Sequence, residues 1–391
     1  MIGAGPAGLA AAIAASEGGA QVGILDDNAG PGGQIWRLQS NSWTTRMRAS
    51  GAKFLPDTTV FDVAGSHRLR VLKGRQAEEI TFAKLILATG ARERFLPFPG
   101  WTLPHSMGVG GIQALAKGGL PIEGKRIVVA GSGPLLLAVA AYLKAHGAIV
   151  PVIAEQTSKV HLFFFGAGLS LDKIRQAGQL FWHLRGIRYR TGTWVTRTTP
   201  GQVELNHGPA IACDYLACGF GLVPNLELAR LLGCEIKRGA VAVDDNCRTS
   251  RADVLAAGEV NGVGGEELAL IEGQLAGYAA TGQTVKATRL RAERKKHLFF
   301  RRMLTASFAP RRALRKLAAP DTIVCRCEDV THRQLLEATG ERDAKLQSRC
   351  GMGPCQGRIC GPACEFLFGW PPGNLRPPLS PVPISAYRAK T

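Results

Sequence analysis

Gly3-Ala4-Gly5-Pro6-Ala7-Gly8, running into the apolar stretch Leu9–Ala15 and then Gln21-Val22-Gly23-Ile24-Leu25-Asp26, decides how the rest of this chain is read. Strand, glycine turn, helix and second strand follow in the order of a dinucleotide-binding βαβ unit, with an acid about 20 positions past the glycines. Gly3 permits the tight turn, Gly5 lets backbone approach a diphosphate, and Gly8 lets helix and strand pack closely. Pro6 and Ala7 open the helix, whose N-terminal N–H groups favour phosphate charge. Asp26 can accept hydrogen bonds from an adenosine ribose. Only Met1-Ile2 precede the turn, whereas a strand usually has about five residues. A natural start upstream of Met1 is therefore expected.

Working outward, Gly32-Gly33-Gln34 forms a loop, and Ala83–Gly90 reads as a buried strand ending in Ala88-Thr89-Gly90. The proline-rich Phe95–Trp101 segment marks a crossing into a second βαβ unit, Arg126-Ile-Val-Val-Ala-Gly131-Ser-Gly133-Pro-Leu-Leu136, with Glu155 after its next strand. Leu136 stands where the fingerprint has its third glycine, which crowds a diphosphate. Gly131, Gly133 and Glu155 thus suit NAD, another adenine nucleotide held without catalysis, or no ligand. The chain then returns to the first unit at Ala256-Ala257-Gly258-Glu259, and Gly264-Gly265 leads into an expected amphipathic helix over 267–280. The expected domains are 1–104 with 240–288 (first dinucleotide), 105–239 (second nucleotide), a basic linker over 289–320, a cysteine module over 321–365, and an extended, surface-lying proline-rich tail over 366–391.

The 391 residues carry 48 glycines, 46% hydrophobic residues and a net charge of +18. That composition fits a multidomain α/β protein, and no apolar run reaches membrane-spanning length. Without a secretion signal, the chain is expected in the cytoplasm with reduced thiols. The basic charge gathers around Arg289–Lys316. Such a stretch is either a solvated helix face or a dock for an acidic subunit or the inner membrane face.

Six of the ten cysteines lie near the carboxyl end: Cys325, Cys327, Cys350, Cys355, Cys360 and Cys364. Cys-x-Cys followed by Cys-x4-Cys is not the common zinc spacing. Thiolate pairs on two loops suit the two irons of a [2Fe–2S] cluster, and Arg326, Arg349 and Arg358 can offset its charge. The nearby Gly351, Gly353, Gly357 and Gly361 leave backbone N–H groups to approach the sulfurs. Spacing alone does not separate Cys350/Cys355 from Cys355/Cys360.

The motifs Gly33-Gln34, Thr89-Gly90, Gly258-Glu259 and Gly265 fall in the order of two-dinucleotide-domain flavoprotein reductases, which residues 1–290 resemble. The resemblance implies two Rossmann-like domains of the disulfide-reductase type and a bound FAD, with Glu259 at the ribityl chain. Cys213, Cys218, Cys234 and Cys247 lack the spacing of a redox pair, so disulfide reduction is not expected.

Cys325-Arg-Cys327 with Gly351-Met-Gly-Pro-Cys355-Gln-Gly-Arg-Ile-Cys360 resembles the small helical [2Fe–2S] domain of bacterioferritin-associated ferredoxins (BFD-like). That match implies the ligands Cys325, Cys327, Cys355 and Cys360. As a whole the chain resembles the A subunits of bacterial opine oxidases, hydrogen cyanide synthases and hydroxyproline or proline dehydrogenases. The resemblance implies electron relay through FAD and cluster. The electrons come from an amino-acid-oxidase-like FAD subunit, with or without a small ferredoxin-like subunit, and go to a quinone or respiratory acceptor. Catalytic residues for amine oxidation are not recognisable. A self-sufficient NAD(P)H-dependent reductase is the second reading. A zinc module binding nucleic acid is the third, and no recognition helix supports it.

Overall fold

The computed structural model describes residues 1–387, apart from the Thr284 side chain. The chain divides into two compact units: Met1–Arg92 with Val223–Arg302 and Asn374 onward, and Glu93–Leu222 with Met303–Gly373. These divisions fall near 92 and 222, against the expected 104 and 239, and the cysteine module belongs to the second unit. Each unit carries a parallel sheet with helices, so the mixed α/β architecture expected from the sequence is the one observed.

In the first unit, strands Gly23–Leu25 and Leu85–Leu87 flank the chain start, where Ile2 bridges in parallel to both Leu25 and Leu87. Lys53–Leu55 and Val254–Ala256 extend the sheet on either side. Ile2 thus takes the central place in this sheet. The opening helix Pro6–Glu17 starts with proline in its first turn and is buried from Pro6 to Ala15. Its alanines permit close approach by helix Glu266–Ala280, where a side chain at Gly273 would run into the Ala7 carbonyl. The latter helix buries eight residues on one broad face and leaves Glu267, Leu270, Gln274 and Tyr278 less buried along the other, the one-sided pattern expected of it.

A three-stranded antiparallel sheet (Thr58–Gly65, Arg68–Lys73, Gln76–Thr81) goes beyond the motif reading, although Arg68-Leu69-Arg70-Val71 alternates and Gly74 supplies a turn. The tail is also not simply laid on the surface. Leu379 is buried in the first unit's core, and its N–H donates to Phe61 O at 2.7 Å. The end of the expected tail, 388–391, lies outside the described residues.

The second unit is built on a five-stranded parallel sheet in the order Arg188–Thr191, Val152–Glu155, Ile127–Ser132, Tyr215–Phe220, Ser106–Met107. Ile127–Ser132 is buried throughout, as a central strand covered on both faces must be. The cysteine module supplies the short pair Ile323–Cys325 and Val330–Thr331, then helices His332–Leu336, Glu341–Ser348 and Cys360–Phe368. Trp101 ties it to the sheet side of the same unit by donating from Nε1 to Ile323 O at 2.6 Å. The expected linker is largely one 24-residue helix, Thr284–Ser307.

Candidate functional site

The first glycine turn is packed on one side and open on the other. A side chain at Gly8 would strike the Gly3 carbonyl, and one at Gly3 would strike Ala88 O, whereas Gly5 faces open space. The nearby Gly33 packs against Gly5, and Gln34 beside it is exposed. Asp26 is buried and accepts from Ala4 N at 2.5 Å and from Asn28 N at 2.8 Å. Its carboxylate therefore anchors the turn itself, a duty that the motif alone does not assign to it.

The other expected flavin residues gather in the same unit. Thr89 Oγ1 donates to Asn225 O at 2.8 Å, and Asn225 Nδ2 donates back to Thr89 O at 2.7 Å, which holds the Thr89-Gly90 turn. Gly265 caps the Glu266–Ala280 helix and faces open space. Among the described residues no protein group donates to the Glu259 carboxylate, and burial alone pushes its carboxyl up to about 7. A half-buried carboxyl of this kind suits a hydroxyl-rich ligand that supplies the missing donors.

Sequence reasoning missed what holds the loop carrying Glu259. Glu272 is fully buried and accepts from Gly258 N at 3.0 Å, Asn261 Nδ2 at 2.9 Å and Arg294 Nε at 2.9 Å. Arg301 Nη1 adds a bond to Asn261 O at 2.8 Å. Two arginines that read as linker charge thus brace the 258–261 loop, and only a glutamate on the apolar face of the Glu266–Ala280 helix hints at it.

In the second unit, Glu155 repeats the role of Asp26. It is buried and accepts from Gly133 N and Thr157 N, both at 2.8 Å. Gly131 packs against the Gly219 carbonyl with no room for a side chain, and Leu136 lies wholly in the core.

At the cysteine module, a cavity of about 140 Å³ is lined by Cys325, Cys327, Cys355 and Cys360, with Arg326, Ile359, Phe95, Trp101, Ser106, Met107 and Gly108. All four cysteines implied by the ferredoxin-like resemblance face this cavity. The tightest sulfur triad is different: Cys325, Cys350 and Cys360 have Sγ atoms within 4.8 Å of one another. Hydrogen bonds from Cys350 and Cys360, and then from the Gly351 and Glu328 N–H groups, pull the Cys325 thiol well below its ordinary range. Gly353 allows the backbone to meet Cys327 at close range.

Two expectations change here. Arg349 Nε donates to Glu328 Oε2 at 2.7 Å, so its charge is already paired, and the Gly361 N–H is spent on Gly357 O at a helix start. Soft thiols from two chain segments, 325–327 and 355–360, around one cavity match the donor set of an iron–sulfur cluster. Cys213, Cys218, Cys234 and Cys247 are buried and, among the described residues, unbridged.

Residues 1–283 match the family described as "Pyridine nucleotide-disulphide oxidoreductase". The chain is 31% identical to the A subunit of opine oxidase from Rhizobium meliloti (strain 1021), over 98% of this chain and 96% of that protein. It is 28% identical to hydrogen cyanide synthase subunit HcnB of Pseudomonas protegens, over 99% and 96%. Among solved structures, L-proline dehydrogenase from P. horikoshii shares the fold, with a TM-score of 0.70 at 19% identity over 99% of this chain and 78% of that one. The fingerprint at Gly3–Gly8 and the near-complete alignment agree: the chain belongs to the pyridine nucleotide-disulphide oxidoreductase family, alongside HcnB and the A subunit of opine oxidase.

Proposed function

We propose that this chain is the electron-transfer subunit of a heteromeric dehydrogenase acting on an amino acid or secondary amine of the opine, proline, hydroxyproline or glycine class. Its donor is a partner flavoprotein of the amino-acid-oxidase type, with or without a small ferredoxin-like protein, and its acceptor is a quinone or respiratory carrier. The observation that carries the reading is the four-thiol cavity of the second unit, in a chain that also holds a flavin-type glycine turn. A flavin accepts electrons in pairs and a [2Fe–2S] cluster passes them singly, the combination a relay needs.

The residues divide the work. Gly5 and the opening helix N-terminus would receive the diphosphate, Asp26 the adenosine end, and Glu259 the ribityl hydroxyls. Cys325, Cys327, Cys355 and Cys360 would hold the irons. Cys350 and Cys364, both buried, would hold no iron in this arrangement. We place the protein in the cytoplasm, with the basic 284–307 helix as the face suited to an acidic partner or an anionic membrane surface. Among the described residues no helix is long and apolar enough to cross a membrane.

The anaerobically purified chain should be coloured by flavin and iron–sulfur absorption and should oxidise no amine by itself. Turnover should appear when the co-expressed partner is added. A colourless chain, or robust amine oxidation by the chain alone, would overturn the proposal. A self-sufficient NAD(P)H-dependent reductase is the second reading, because Glu155 and Gly133 keep the geometry of a nucleotide fold.

A further inference from the structure

The nucleotide crevice of a parallel α/β sheet lies beyond the carboxyl ends of its strands, where neighbouring connections diverge. In the second unit that place is beside Ser132, at the end of the central strand, and Gln156-Thr157, just past the next strand. Both edges are already bonded to the segment that follows the long basic helix. Ser132 Oγ donates to Phe308 O at 2.8 Å. Gln156 Nε2 donates to Ala309 O at 3.1 Å, and Gln156 Oε1 accepts from Arg311 N at 3.1 Å. Thr157 Oγ1 donates to Ser307 O at 3.4 Å. The Phe308 ring packs edge-on against Phe165, with centroids 5.0 Å apart, and is the neighbour any side chain at Gly133 would meet.

The segment is pinned beyond these bonds. The Arg311 guanidinium sits over the Trp194 ring, and Leu314 is completely buried in the unit's core. Ser132, Gln156 and Thr157 are themselves buried beneath it. The segment lies past residue 283, where the match to the pyridine-nucleotide family ends.

We propose that Ser307–Arg311 is a strap that fills the second dinucleotide crevice, making Phe308 and Gln156 the residues that set donor specificity by shutting out NAD(P)H. A tethered segment competes at an effective concentration of millimolar or more, so free nucleotide sees only the small fraction of chains with the strap lifted. The inference is independent of the relay reading, yet it explains how a pyridine-nucleotide fold can serve a protein fed by another donor.

The test adds NADH and NADPH anaerobically to the full-length flavin-loaded chain, reading binding by calorimetry and reduction by flavin absorbance. Hydrogen exchange follows residues 307–311. The wild type should show protected strap amides unchanged by nucleotide, and no binding below about 1 mM. The double variant Gln156→Ala with Phe308→Ala should lose that protection, keep its flavin, and bind NADH at least ~10-fold more tightly. Tight NADH binding by the wild type would overturn the strap, and so would a freed strap with no gain in binding. If the wild type binds NADH while its flavin stays oxidised, occlusion fails and the relay reading survives. If the flavin bleaches, both fail. Should the double variant not fold, exchange at 307–311 in the wild type with and without NADH still decides.

Discussion

Arg294 Nε meets Glu272 Oε1 at 2.9 Å, with 6% and 0% of their side chains exposed, deep in the first unit. The arginine comes from the long basic helix and the glutamate from the Glu266–Ala280 helix, while Glu272 also receives the Gly258 N–H. Removing one partner of such a pair leaves the other charge buried and alone, at a cost of roughly 3–5 kcal/mol. Arg294→Ala should therefore lower the thermal midpoint by many degrees and release flavin. Arg289→Ala is the control on the same helix: Arg289 is almost fully exposed, and its loss should change little.

The cavity lining predicts the outcome of a cysteine series. Cys355→Ala and Cys360→Ala should each abolish stoichiometric iron and sulfide. Cys364→Ala should keep both. Cys350→Ala separates the two geometric sets: retained iron supports the four cavity-lining cysteines, and lost iron supports the tighter triad with Cys350.

Glu259 makes a pH prediction. Burial raises its folded-state carboxyl to about 7, above its ordinary value of 4.5, so the folded state binds the proton more tightly. This contribution to stability is present below about pH 4.5 and disappears as pH rises through 7. In flavin-stripped protein, Glu259→Gln should be more stable than wild type at pH 8, with the gap closing towards pH 5. Chemical denaturation at the two pH values checks the sign.

Leu379 tests whether the tail is structural. It is buried, and the neighbouring Tyr387 ring meets Phe61 edge-on at 5.5 Å. Leu379→Ala should cost about 2–4 kcal/mol, as for other buried leucines. An unchanged denaturation midpoint would mean that the tail contributes nothing to the first unit's core.

Asp26 holds the turn through Ala4 N, and in the proposed flavin site it would also receive the adenosine end. Asp26→Ala should weaken flavin binding at least ~10-fold, measured by flavin retention on dilution. Asp26→Asn should lose less, because one acceptor oxygen survives.

Local spacing determined much of this protein. The glycines at 3, 5 and 8 with Asp26, and those at 131 and 133 with Glu155, mark two βαβ units, because Gly3, Gly8 and Gly131 have no room for a side chain and Gly5 leaves open the space a diphosphate needs. The thiolate cluster was legible as paired cysteines a few residues apart, but spacing left Cys350 and Cys360 unseparated and only the ferredoxin-like resemblance implied the four that line the cavity. Contacts between distant segments were not legible. Arg294 looks like any linker charge until Glu272, 22 residues earlier, is seen beneath it. Leu379 looks like tail until it meets Phe61, and Phe308–Arg311 shows no motif at all. The side-chain neighbours of Cys350 and the occupant of the second crevice were decided only by folding. Burial converts an ordinary charge or amide into an anchor, and burial is a property of what the rest of the chain brings near.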